Sequence, residues 1–284
     1  MTSLQATTVR TEHVQTCPEI GPICAQQDEP PQVHDQRFWI GQVRFFGTYA
    51  FDSRWSVEVQ GQLKLLRSGI TYRDLEGREF VPPYIDIHHR NETLFGLTDP
   101  WLLGRWTAQF SALRTTLRGG VTAPLGSTQE NPFERGMRGA AHQHLQFGTG
   151  TWDPVLGGEL AWREGALGIL AYGVGLVSLY DNRHGYRSGA RVAGGLAFSW
   201  ALSDKWTLQA TSDVMHEGAE TWGGVRYDEG NLGRTDVLVG GGASARLGGL
   251  RLGFGLRVPV FTKVHATGGT IEIPALLEFT LAPL

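Results

Sequence analysis

The sequence predicts an all-β fold: an up-and-down antiparallel transmembrane β-barrel of about twelve strands, with ten as the fallback. Three observations predict it. Eleven segments alternate polar and apolar side chains with a period of two, they run roughly ten to thirteen residues, and the links joining them are short and long in strict alternation. Ordinary strands run about five to six residues, whereas about nine to eleven tilted residues cross a bilayer.

Taken in order, Phe38 to Tyr49 is the first segment, and Trp55 to Leu65 is the clearest. In the latter Trp55, Val57, Val59, Leu63 and Leu65 form one face and Ser56, Glu58, Gln60, Gln62 and Lys64 the other; a helix would scatter those polar residues around its axis. Leu97 to Phe110 follows, opened by Asp99-Pro100, and then Leu113 to Ala123 with Arg114, Thr116, Arg118 and Thr122 on its polar face. Thr151 to Arg163, opened by Asp153-Pro154, Ala166 to Ser178 and Ala190 to Ala201 come next. Proline is tolerated at the first position of a strand, which suits both Asp-Pro pairs. Trp206 to Met215, Thr235 to Arg246, Arg251 to Val260 and a last segment through Glu272, Glu278 and Thr280 complete the set.

Tight links fall near Asp52-Ser53, Ala112, Glu164-Gly165, Ser203-Asp204 and Gly248-Gly249; long polar links fall at about 67–96, 125–150, 179–189, 217–234 and 261–269. That alternation puts every tight turn at one rim and every long loop at the other, as in outer-membrane barrels. Eleven is odd, so a twelfth strand is sought at 67–96, at 125–150, or just before Phe38.

Residues 1–36 read as a polar N-terminal tail and 37–284 as the barrel. The tail holds Cys17 and Cys24, the only cysteines, a disulfide candidate whose pairing spacing alone does not give. A zinc site there would need about four ligands, and only His13 and His34 stand nearby. The tail lacks the basic and apolar regions of a secretory signal.

Composition narrows the classes. The chain has 284 residues, 39 of them Gly, and a net charge of −3 with three Lys against 22 Arg, which argues against a nucleic-acid partner. Its longest uncharged run, Gly165 to Tyr180, is 16 residues with four glycines, short of a helical span. Glycine stands at about twice the usual ~7% and falls inside the alternating segments, where it lets strands bend and leaves room in a lumen.

A soluble β-barrel binding protein also alternates. The membrane reading rests on aromatics near the strand ends (Trp39, Trp55, Trp101, Trp106, Trp162, Trp200 and Trp206) and on a polar face of mixed sign. The residues expected to face the lumen are Arg44, Glu58, Gln60, Lys64, Arg114, Arg118, Arg251, Arg257, Glu272 and Glu278. No cofactor and no metal ligand set is expected. His142 and His144 share a face if extended and suggest only a conceivable metal-binding mouth. Motifs of nucleophilic or metal hydrolysis are missing. A lipase would need a Ser beside a His, and Ser212 with His216 lacks a third member. The expected partners are outer-membrane lipid and a small solute, with a monomer favoured.

Several segments resemble the meta-pathway phenol-degradation family of outer-membrane transporters. The carriers are Gly96-Leu97-Thr98-Asp99, Gly119 to Gly126, and Gln146 to Gly157 centred on Gly148-Thr149-Gly150-Thr151-Trp152-Asp153-Pro154. The resemblance spans about Phe38 to Leu284. It implies an exported outer-membrane barrel that passes hydrophobic or aromatic small molecules, and with it an export signal. The function expected is a passive outer-membrane channel or uptake protein, against a closed structural barrel, a lipase or deacylase, or a soluble binder.

Overall fold

The computed structural model describes residues 1–15, 31–83, 86–227, 230–265 and 270–284. Twelve antiparallel strands form one closed sheet: β1 Thr2–Gln15, β2 Gln32–Ala50, β3 Trp55–Arg73, β4 in two pieces (Glu92–Leu97 and Trp101–Phe110), β5 Leu113–Thr122 and β6 Asp153–Glu164. They continue as β7 Leu167–Leu176, β8 Arg191–Ala201, β9 Trp206–Glu217, β10 Arg234–Leu247, β11 Leu250–Val264 and β12, again in two pieces (Thr270–Glu272 and Leu276–Pro283). Each strand pairs with its neighbours in sequence. β1 closes the ring by pairing with β2 on one side and β12 on the other. Closure leaves no free edge, which is what a β structure in lipid requires.

The missing strand is β1, and this corrects the reading of residues 1–36 as a tail. Thr2–Gln15 pairs along its whole length with Gln32–Phe45. Its alternation is hard to see because its inward face is Ser3, Gln5 and Thr7 and its outward face is mostly short or charged: Leu4, Ala6, Thr8, Arg10 and Glu12. Cys17 and Cys24 lie outside the described residues.

Five tight turns share one rim with both chain ends. Those at 111–112, 165–166 and 248–249 have two residues, and Ser111, Gly165 and Gly248 take a left-handed φ of 52°, 55° and 59°. That is the first-position geometry of a type II′ hairpin. The long loops share the other rim.

Between the rims, the outward positions are apolar or small. On β11 they are Leu252, Phe254, Leu256 and Val258, and on β6 Leu156, Leu160 and Trp162. Outward charges cluster above this band, where Asp35 is fully buried among Arg10, Arg37 and Arg73, and Glu164 lies below it at the tight-turn end of β6. Trp55, Trp106, Trp162, Trp200 and Trp206 stand outward near the tight-turn rim, a girdle suited to a membrane interface.

Two expectations about facing are corrected, and each fails at a proline-bearing break. Between Leu97 and Trp101 β4 uses four steps where β3 uses three, from Leu63 to Gln60. This bulge at Pro100 reverses the parity, so Trp101 points inward and packs against Leu103, Val155 and Leu176. β12 does the same at Ile273-Pro274-Ala275: Thr7 opposes Leu276 while Arg10 opposes Glu272. Glu272 therefore lies on the outer face, 3.6 Å from Arg10, and does not face the lumen.

Candidate functional site: the barrel lumen and its mouth

The other nine residues expected to face the lumen, Arg44, Glu58, Gln60, Lys64, Arg114, Arg118, Arg251, Arg257 and Glu278, occupy inward positions of β2, β3, β5, β11 and β12. Register brings several of them together with residues that sequence reasoning missed. Arg105 of β4 lies 3.1 Å from Glu58, and Arg118 of β5 contacts both Glu58 and Glu159 of β6. On the far wall Arg257 lies 3.0 Å from Asp213 and 2.8 Å from Glu278. The Tyr172 hydroxyl donates to Asp213 at 2.6 Å, and Ser3 and Gln5 donate to Glu278. Gln42 donates to Gln5 and Gln62 donates to Gln42, which returns the chain of contacts to β3. Arg44 sits at the same level, facing Glu278 and Arg257.

The result is a polar girdle around the lumen, with four arginines (Arg44, Arg105, Arg118, Arg257) against four carboxylates (Glu58, Glu159, Asp213, Glu278). Two strands supply glycine instead. A Cβ at Gly195 would run into the Asp213 carboxylate and the Tyr172 ring, and one at Gly240 into the Arg257 side chain and the Leu256 carbonyl. These glycines let long side chains lie flat along the wall.

Below the girdle, toward the tight turns, lies a cavity of about 680 Å³. Arg257 and Glu278 bound it, and Arg114, Arg163, Arg246 and Arg251 line it. Among the described residues these last four make no salt bridge, and Arg246 stands directly opposite Arg251 in the ladder. Like charges so placed repel, so the chamber carries an uncompensated positive potential.

Above the girdle, loops fold into the mouth. Asp99, at the β4 break, accepts from the backbone N–H groups of Gly126 and Thr149 and from the Thr149 hydroxyl, anchoring loop 123–152. Phe147 of that loop reaches Lys64, whose ammonium lies 5.9 Å from the ring centroid. A two-residue ladder, Tyr186–Arg187 against Thr221–Trp222, seats the almost wholly buried Trp222.

Beside Trp222, whose indole donates to it at 3.0 Å, is the buried Glu220. Burial pushes its carboxyl up to about 7, with Glu217 adding to the rise and Trp222, Asn231 and Arg191 opposing it. The folded value exceeds the unfolded one, so the native state holds a proton that the unfolded chain loses above about pH 4.5. The stabilisation is fully present below that pH and is lost as pH rises through about 7. At about 1.4 kcal/mol per unit, the rise from 4.5 to about 7 gives about 3–4 kcal/mol. Thermal melts between pH 5 and 8 should show this loss, and Glu220→Gln should flatten it; an unchanged slope in the variant would count against Glu220 as the source.

His142 and His144 do come together at the mouth, joined by four histidines from elsewhere. One trio is His13, His34 and His89 and the other His88, His142 and His144. On the outer face, His216 contacts Thr235 at 2.9 Å and Thr235 contacts His265 at 3.0 Å, so the lipase pairing of Ser212 with His216 does not form.

No family profile matches the chain. Nor does any curated protein sequence. An outer membrane channel from Pseudomonas putida F1 is similar in structure, with a TM-score of 0.59 and 11% identity, covering 99% of this chain and 95% of that one. The fold is that of an outer-membrane β-barrel. The transport unit of the autotransporter AIDA-I from Escherichia coli aligns less well, at a TM-score of 0.47 and 8% identity over 99% and 90% of the two chains. The barrel is the part of the phenol-degradation resemblance that these findings carry.

Proposed function

We propose that the protein is a passive channel of the bacterial outer membrane, with the long loops outside the cell and the tight turns in the periplasm. The observation that carries this reading is a closed barrel with a charge-free outer band and, inside, an arginine-lined chamber beneath a polar girdle. Such barrels keep short turns on the periplasmic side, and pore-lining charge sets which solutes pass. The solute class that fits is a small organic anion. An aromatic acid would satisfy both the free arginines and the aromatic solutes that the family resemblance implies.

The test is conductance in planar bilayers, with benzoate compared against uncharged benzyl alcohol in liposome swelling. We expect discrete steps, preference for anions, and faster entry of benzoate. A charge acting through water at about 4–8 Å contributes about 0.5–1 kcal/mol. Arg251→Gln should therefore reduce the anion preference by about two- to fivefold. Silent bilayers from a folded barrel would overturn the channel reading in favour of a closed structural barrel.

A further inference from the structure

We propose that the mouth of the barrel holds two adjacent three-histidine sites for a late first-row divalent cation such as Zn²⁺, Ni²⁺ or Cu²⁺. In each trio, one ring nitrogen of every histidine lies within 4.8 Å of the others. His13 and His34 oppose each other on β1 and β2 and point inward, and their rings are 5.2 Å apart. His89 closes the first trio, 4.7 Å from His34 and 5.1 Å from His13 between ring centroids. His88, the next residue in the chain, stacks on His89 at 4.2 Å and opens the second trio, 5.0 Å from His142 and 4.4 Å from His144.

Several features favour a metal over a chance gathering of rings. His34 has no exposed surface, and neither of its ring nitrogens has a hydrogen-bond partner among the described residues. An unsatisfied buried polar group costs about 1–3 kcal/mol, and a coordinated cation would satisfy one of these nitrogens. His89 Nδ1 lies 3.5 Å from Asp86, a contact that leaves Nε2 for a metal. Asp86 is itself fixed by the Tyr72 hydroxyl at 2.7 Å and by the backbone N–H groups of His88 and His89. At 3.5 Å the approach of His89 to Asp86 is a contact and not yet a hydrogen bond, and the inward draw of a bound cation would bring the two into the carboxylate–imidazole arrangement that orients histidine for metal. The second trio is held likewise: His142 Nδ1 contacts the Ala140 carbonyl at 3.0 Å, and the His142 N–H donates to the Ile87 carbonyl. Phe133, on the helix α1 Pro132–Met137, packs edge-on against His144.

Three imidazoles suit borderline cations and leave a fourth position open for water or solute. Tetrahedral Zn–N bonds of about 2.0–2.1 Å put ligand atoms about 3.3–3.4 Å apart, so binding draws each trio inward by about an ångström. Occupancy of the first site would tie loop 74–91 to the β1–β2 wall, and occupancy of the second would tie it to loop 123–152.

The test uses the full barrel, untagged and folded in detergent, titrated with Zn²⁺ alone and Cu²⁺ alone, with bound metal counted after desalting and Cu²⁺ ligation read by its nitrogen hyperfine pattern. We expect two ions per barrel, one lost in His34→Gln/His89→Gln, the other lost in His88→Gln/His142→Gln, and both kept in His216→Gln/His265→Gln. Folding is checked by heat-modifiable gel mobility. Asp86→Asn keeps every ligand and should weaken the first site by about 10- to 100-fold. No metal retained by the wild type, or wild-type stoichiometry in both double variants of the trios, would overturn the proposal. The readout does not depend on conductance, so it stands apart from the channel reading.

Discussion

Arg257→Ala is expected to lower the unfolding free energy of the barrel by about 3–5 kcal/mol, the range for breaking a buried ion pair by removing one partner. Arg257 lies between Asp213 and Glu278, at 3.0 and 2.8 Å. Its loss leaves two carboxylates on one wall with Arg44 as the cation facing Glu278. The hydroxyl of Tyr172 and the donors Ser3 and Gln5 remain, so the carboxylates keep hydrogen bonds but lose their counter-charge. The penalty should therefore sit near the lower end. Urea unfolding from lipid vesicles measures it, and Asp213→Asn in the Arg257→Ala background should restore part of the loss. Arg257→Lys should recover less than its charge suggests, because a compact ammonium lacks the planar guanidinium that reaches Asp213 through Nε and Glu278 through Nη1 at once. A loss under about 1 kcal/mol would mean that water already screens the girdle and that it holds little of the barrel together.

The girdle shows where the sequence is legible and where it is not. Alternation reveals a lipid face because lipid rejects charge, so Trp55 to Leu65 and Arg251 to Val260 declare themselves. The inward face is polar on every strand, and which carboxylate meets which arginine depends on register. Glu159 and Arg118 are 41 residues apart and meet because Leu117 opposes Gly158 in the ladder. β1 was hidden because neither of its faces is strongly apolar, and the tail reading followed from that. An unbroken period of two puts Trp101 and Glu272 on the wrong face for one shared reason. Pro100 and Pro274 each mark a break where an extra residue reverses the parity, and a period-two pattern carried across a bulge inverts every later side chain. Of the six mouth histidines, only His142 and His144 are close enough in sequence to suggest a shared face. The other four meet them through barrel closure and inward folding of the loops.

The outer band makes the second large prediction, and it separates lipid from water as the solvent of that face. Leu256 points outward, about midway along β11, opposite Leu277 and Gly241. Leu256→Arg should destabilise the barrel in phospholipid vesicles by about 2–4 kcal/mol, the cost of an arginine at the bilayer midplane. Gln209 of β9 lies at a similar depth, level with Gly242 and Gly255 in the ladder, and faces the other way, into the cavity below the girdle. Gln209→Arg places the same side chain in the lumen chamber and should cost well under half as much in the same vesicles. Net charge cannot produce this asymmetry, since both variants add one arginine to a strand at a similar depth. It follows only if β9 and β11 divide lipid from lumen as their register says. Equal costs at the two positions would mean that the apolar band is not in contact with lipid, and the transmembrane reading would fall with it.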